Sequence, residues 1–223
     1  VTSIRDAARL LSADKKSSLL FEQDGISVGI ISDSNITRAL HQRCAPQTTA
    51  AEFMSRPLIT ARADLDLLSA RHLIDSHGIR HLVVIDDQGK TIGIVSDTDF
   101  RLFLGGSVFR NLRTLETVID RKLPQLPPEA PLAEAIARMQ GHETDYVIIT
   151  SNGTPQGIIT ERDMPRLLNE FSDPYAITVA QAMTYPVLSI AENESVTTAL
   201  EIMTEHRVRH MAVLDAQGLI IGV

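Results

Sequence analysis

The chain is 223 residues long and 43% hydrophobic, with 4% aromatics and no Trp, so it is globular with an aliphatic core rather than disordered. Its 21 Lys and Arg stand against 28 Asp and Glu, a formal net charge of −7, and no basic block interrupts the sequence, which argues against a nucleic-acid surface. The single cysteine, Cys44, excludes an internal disulfide and fits a reducing cytoplasm; no apolar run approaches the roughly 18–20 residues that cross a bilayer, and no signal peptide opens the chain.

A helix is predicted first, from Thr2 to Leu11, with no strand before it. Further on, Pro57 opens a short strand, Leu58 to Thr60, as proline is allowed at a strand's first residue. Leu67, Ala70, Leu73 and Ile74 recur at helical spacing, and Gly78 closes that helix. Leu82 to Ile85 is a short β-branched run and hence a buried strand. Asp86-Asp87-Gln88-Gly89 is turn chemistry, so Thr91 to Ser96 forms a hairpin with the preceding strand. A helix follows from about Thr98 to Leu104, closed by Gly105-Gly106.

The second half repeats the first. Residues 54–94 laid on 183–223, a shift of 129 without a gap, give 12 identities in 41 positions, where ordinary composition gives about two or three. Met54, Pro57, Ala70, His77, Arg80, His81, Val84, Asp86, Gln88, Gly89, Ile92 and Gly93 all find their own kind. A weaker register, shifted by 128, puts Ala7 on Ala135, Gly25 on Gly153, Gly29 on Gly157 and Ile30-Ile31 on Ile158-Ile159. Self-similarity at a fixed period means a repeated structural unit. The order is A-B-A′-B′, with units at about 1–45, 46–108, 109–169 and 170–223. A small sheet with its helices cannot bury both faces alone, so the units pair. The first unit lacks a leading strand and the fourth stops within its last strand, which fits either an excised piece of a longer protein or disordered ends.

Ser96 with Asp99, and Thr160 with Asp163, place a hydroxyl at a helix N-cap and an acid three residues on, which is an ordinary helix cap. The same carboxylate can accept two hydrogen bonds from a diol, beside a helix N-terminus that favours phosphate. His77/His81 and His206/His210 have H-x-x-x-H spacing, but Gly78 separates the first pair into a helix and a strand, so no metal is expected. No phosphate-loop, dinucleotide or nucleophile-elbow motif occurs, and Cys44 has no His-centred constellation attached. No catalytic residue is expected.

The run HGIRHLVVIDDQGKTIGIVSDTDF, together with GIITERDM and HRVRHMAVLDAQGLIIGV, resembles the CBS domain, the small regulatory unit named after cystathionine beta-synthase. The resemblance implies an α+β fold. Four β-α-β-β-α CBS units would pair by pseudo-twofold symmetry into two Bateman modules, residues 1–108 and 109–223. It implies clefts that bind AMP, ADP, ATP or S-adenosylmethionine, no catalysis, frequent homodimers, and control of an output domain outside the present residues. An alternative is a dimerisation scaffold that has lost its ligand.

Carried over residue by residue, the ribose-binding pattern falls on Ser96 with Asp99 and on Thr160 with Asp163. In the first unit Ser32 is kept but Asn35 replaces the acid; an asparagine can hydrogen-bond a hydroxyl but carries no charge. The resemblance sets Thr160 and Asp163 against Ser189, Val208, Arg209 and His210. It sets Asn35 against Thr60, Ile79, Arg80 and His81, and Ser96, Thr98 and Asp99 against Lys16-Ser17. Val208 and Ile79 would meet an adenine; Arg209 and Arg80 would meet a phosphate, which a guanidinium pairs bidentately.

Overall fold

A computed structural model describes residues 2–13, 16–96, 98–100, 114–141 and 144–223. The first unit contains α1 (Ile4–Ala13), β1 (Ser18–Gln23), β2 (Ile26–Ser32) and α2 (Asp33–His41). The second has β3 (Thr60–Arg62), α3 (Leu67–His77), β4 (His81–Ile85) and β5 (Thr91–Ser96). The third has β6 (Gln125–Leu126), α4 (Leu132–Gly141), β7 (Tyr146–Ser151), β8 (Thr154–Thr160) and α5 (Met164–Glu170). The fourth has α6 (Val179–Ala182), β9 (Ser189–Ala191), α7 (Val196–Glu205), β10 (Ala212–Leu214) and β11 (Ile220–Gly222).

Three sheets share one plan. A short strand runs parallel to the middle strand, a helix connects them, and the middle strand forms an antiparallel hairpin with the third. Among the described residues, the first unit has the hairpin β1-β2 alone. Asp24-Gly25 and Asn152-Gly153 make its two-residue turn and that of the third unit, all four at positive φ, the backbone that type I′ hairpins require. In the other two units Asp86 and Asp215 accept the amides of their own turns, Gln88 N at 3.0 Å and Gln217 N at 2.9 Å.

Local chemistry fixes the ends. Ser3 and Asp6 form a reciprocal box, with Asp6 N donating to Ser3 Oγ at 3.1 Å and Ser3 Oγ to Asp6 Oδ2 at 2.7 Å; the first helix therefore starts at Ile4 rather than at the predicted Thr2. Asp66 accepts from Leu68 N and Ser69 N at the start of α3, and Gly78 ends it at φ +58°. The strand predicted over Leu58–Thr60 lies at Thr60–Arg62. It follows the parallel ladder to Val83, Val84 and Ile85, in which Ile59 supplies only a carbonyl, to Val83 N. Of the helix predicted over Thr98–Leu104, Thr98 to Phe100 are helical; the rest, with Gly105-Gly106, lies outside the described residues.

The third and fourth units pair reciprocally. Their sheets stack through Tyr146, Ile148 and Ile158 against Val187, Ala212 and Leu214. The segment leading into the fourth unit bridges β8, Thr184 against Ile158, and the segment leading into the third bridges the end of the fourth, Asp120 against Val223. The first and second units meet in the same way, Ile30 against Ser55. A glycine receives each crossing: a Cβ on Gly29 would overlap the Met54 thioether, one on Gly157 would lie 2.5 Å from Met183 Sδ, and one on Gly222 would lie 2.9 Å from Ile119 Cβ.

The two pairs share a core. Ile4, Ala7, Ala8 and Leu11 of α1 and Ile36, Ala39 and Leu40 of α2 form one cluster with Leu132, Ala135, Ile136 and Met139 of α4 and with Met164, Leu167 and Leu168 of α5. The alanines let the helices approach closely, as cores pack to crystal-like density. Tyr175 Oη also donates to Leu40 O at 2.7 Å across this junction.

Candidate functional site

β2, β5 and β8 end in the same device. Asp163 Oδ2 accepts from Thr160 N at 2.8 Å and from Thr160 Oγ1 at 2.9 Å. Asp99 Oδ2 accepts from Ser96 N and Ser96 Oγ, both at 2.7 Å. Asn35 Oδ1 does the same for Ser32, at 2.7 and 3.0 Å. The cap is therefore present in all three copies, and it occupies one oxygen only. In Asp163 the other oxygen has Arg166 Nη2 at 3.5 Å, too long for a good hydrogen bond. Asn35 differs: its amide nitrogen donates to Phe53 O at 2.9 Å and Ser55 Oγ at 3.2 Å, so both its polar atoms are engaged by its own chain.

The histidines cross between paired units. Ser96 lies opposite His81 in the β4-β5 ladder, and His81 Nε2 meets Ser17 Oγ of the first unit at 2.9 Å. The structure thus brings Ser96, His81 and Ser17 together. Thr160 lies opposite Tyr146, whose ring centroid is 4.7 Å from that of His210. Thr160 and His210 therefore flank one tyrosine. Thr60 and Ser189 sit exposed at the starts of their parallel strands. Thr98 is exposed at the start of its helix, Ile79 packs on the second unit's core, and Val208 is half-buried beside Arg209.

Arg80 does not hydrogen-bond Asn35. It reaches into the third unit, with Nη1 3.1 Å from Asp145 Oδ2 and Nη2 2.5 Å from Glu161 Oε2. Asp145 Oδ1 lies 3.0 Å from His210 Nε2. Arg209, also half-buried, makes no hydrogen bond or ion pair among the described residues, although Asp145 and Asp33 are close enough to act on its charge.

Burial sets the protonation of this junction. It pushes the Asp33 carboxyl up to about 7, against the opposing pull of Arg209, Arg80 and Arg162. It raises Glu161 as well, despite the Arg80 guanidinium beside it. Burial also works on Asp145, but the His210 hydrogen bond and the charges of His210, Arg209 and Arg80 prevail and hold that carboxyl below the usual range. Burial lowers Arg209.

A cavity of about 1140 Å³ opens beside this cluster, lined by Arg80, Arg121, Lys122, Arg138, Asp145 and Glu161 among others. A smaller, apolar hollow of about 310 Å³ lies between Ile119, Tyr146, Ile190, Met203, Arg209 and Met211. Neither is lined by Thr160, Asp163 or Ser189. Sequence reasoning passed over Asp33, Asp145, Glu161 and the stretch from Asp120 to Pro124. The shift of 128 carried one signal, since it lays Asp33 on Glu161, an acid directly after each capping hydroxyl. Among the described residues, no three His, Cys, Asp or Glu side chains gather as metal ligands, and no helix is long and apolar enough to cross a membrane.

A family model of the CBS domain matches residues 50–106, 115–170 and 179–223. The chain belongs to the CBS domain family. CBS domains are in general regulatory units, and the three matches coincide with the second, third and fourth units. The L-aspartate semialdehyde sulfurtransferase of Methanocaldococcus jannaschii is 25% identical over 124 residues, 55% of this chain and 24% of its own. The uncharacterized protein MJ1404 of the same organism is 25% identical over 175 residues, 77% of this chain and 40% of its own. The chain thus spans well under half the length of these relatives. Among solved structures, protein MJ1225 of M. jannaschii, described as a candidate archaeal homolog of g-AMPK, superposes with a TM-score of 0.86 at 20% identity, covering 99% of this chain and 89% of that one.

Proposed function

We propose that this chain is a non-catalytic regulatory module that senses an adenosine-containing ligand, AMP, ADP, ATP or S-adenosylmethionine, and controls an attached or partner domain. The first unit is read as a fourth CBS copy, so that the chain forms two Bateman modules. Support comes from its hairpin turn, its cap and its glycine contact, which match those of the third unit. A cytoplasmic homodimer with an output domain outside these residues completes the reading.

One observation carries the ligand. At the junction of the third and fourth units, the Asp163 cap leaves Oδ1 with only the Arg166 guanidinium beside it, at 3.5 Å, so that it can still accept from a ribose diol, and Arg209 is a partly buried cation without an ion pair among the described residues. A desolvated guanidinium calls for an anion. The ligand-free scaffold is favoured only for the cleft of Asn35, whose amide is already satisfied by Ser32, Phe53 and Ser55.

Asn35 also supplies the test. An asparagine keeps the cap, so Asp163→Asn removes the charge while leaving the helix start intact, whereas Asp163→Ala removes both. In isothermal titration with AMP, ADP, ATP and S-adenosylmethionine, Asp163→Asn is expected to weaken binding at least about tenfold, the cost of a lost charged hydrogen bond, with an unchanged melting midpoint. Undiminished affinity in that variant would leave Asp163 as a cap and nothing more.

A further inference from the structure

Asp145 stands where the two pairs meet. It belongs to the third unit, yet its oxygens serve two others: Oδ2 accepts from Arg80 of the second unit, and Oδ1 faces His210 of the fourth. The corresponding position in the first unit is Ser17, which meets His81 through its hydroxyl. A single hydroxyl there engages the histidine of its own pair. A carboxylate has lone pairs enough to hold that histidine and an arginine of the other pair together.

We infer that Asp145 couples the cleft between the third and fourth units to Arg80 of the first pair. The inference rests on the reading of that cleft as an adenosine phosphate site. A phosphate that draws Arg209 and His210 weakens the His210–Asp145 contact. The carboxylate then turns to Arg80, which already lies against Glu161, and the turn from Gly78 to His81 is held more firmly. The effect is reciprocal: an anion that takes Arg80 away returns Asp145 to His210 and lowers phosphate affinity. Asp145 acts through His210 and Arg80 and is a positioning residue. The substitution Asp145→Ser copies the first pair, able to hold a histidine but not the arginine as well.

Hydrogen exchange of the full chain with AMP and with ATP reads this directly. In the unaltered protein, nucleotide is expected to slow the amides of Gly78, Ile79 and Val83 by about fivefold, the lower end of ordinary coupling. In Asp145→Asn and Asp145→Ser the nucleotide still binds and these amides no longer respond, while Asp145→Glu keeps a response. Nucleotide bound with no change at these amides, or with the same change in both Asp145 variants, overturns the coupling and leaves the ligand reading standing. Failure of the unaltered chain to bind either nucleotide overturns both.

Discussion

Asp33 and Glu161 hold the same place in the first and third units, one residue past the capping hydroxyl, and both are buried, at 3% and 5% exposure. Their neighbours are three arginines, yet burial dominates Asp33 and lifts its carboxyl to about 7. The folded state then holds that proton more tightly than the unfolded chain, whose aspartates titrate near ~3.9. Its stabilising contribution is complete below about pH 4 and is lost as pH rises through about 7. Asp33→Asn is expected to remove this slope and to make the protein more stable at pH 8, by about 2–4 kcal/mol at ~1.4 kcal/mol per unit, as urea unfolding at pH 5 and pH 8 would show. Equal pH dependence in both proteins would mean that the carboxylate is solvated. At this scale the sequence was legible only in part. The Ser/Thr-x-x-Asp spacing named the caps, and the arginines were named as anion ligands. That Arg80 pairs across to Asp145 and Glu161 depends on how the pairs stack, which no local spacing encodes.

Between elements, the glycine contacts make a graded prediction. A methyl group on Gly157 would meet both Met183 Sδ and the Thr184 carbonyl, 2.8 Å away, whereas the three atoms nearest to one on Gly29 all belong to the Met54 side chain. A thioether can turn aside; a backbone carbonyl in a bridging pair cannot. Gly157→Ala is expected to cost about 1–3 kcal/mol and Gly29→Ala distinctly less, in parallel denaturant titrations. The reverse order would show that the crossing segments are loose. Elements were largely readable from sequence because their signals are local: Gly78 at a helix end, Asp86-Asp87-Gln88-Gly89 at a turn, and the β-branched runs around them. The predicted strand at Leu58–Thr60 slipped by two residues because its position is set by hydrogen bonding to β4, a partner more than twenty residues away.

The whole molecule is tied together by the helices of the first and third units. Their cluster also takes in Ala50 and Phe53 from the segment leading into the second unit and Val179 and Ala182 from that leading into the fourth. All four units therefore contribute to one core, and the full chain is expected to unfold in one calorimetric transition rather than one per pair. Ile36→Ala, at a fully buried position in α2, should lower that single midpoint by about 2–5 kcal/mol of stability; two resolved transitions, only one of them shifted, would show independent pairs. The repeat pointed to four units, of which the family model matches the second, third and fourth. It could not announce this junction, because Ala7, Ala8 and Ala39 read as ordinary helix formers until Ala135 and Leu167 are set against them. The glycine contacts carry one more consequence. Met54 and Met183, both half-buried residues, press their sulfurs on surfaces already too close for a methyl group, so peroxide, by adding a sulfoxide oxygen to either, would wedge its pair of units open.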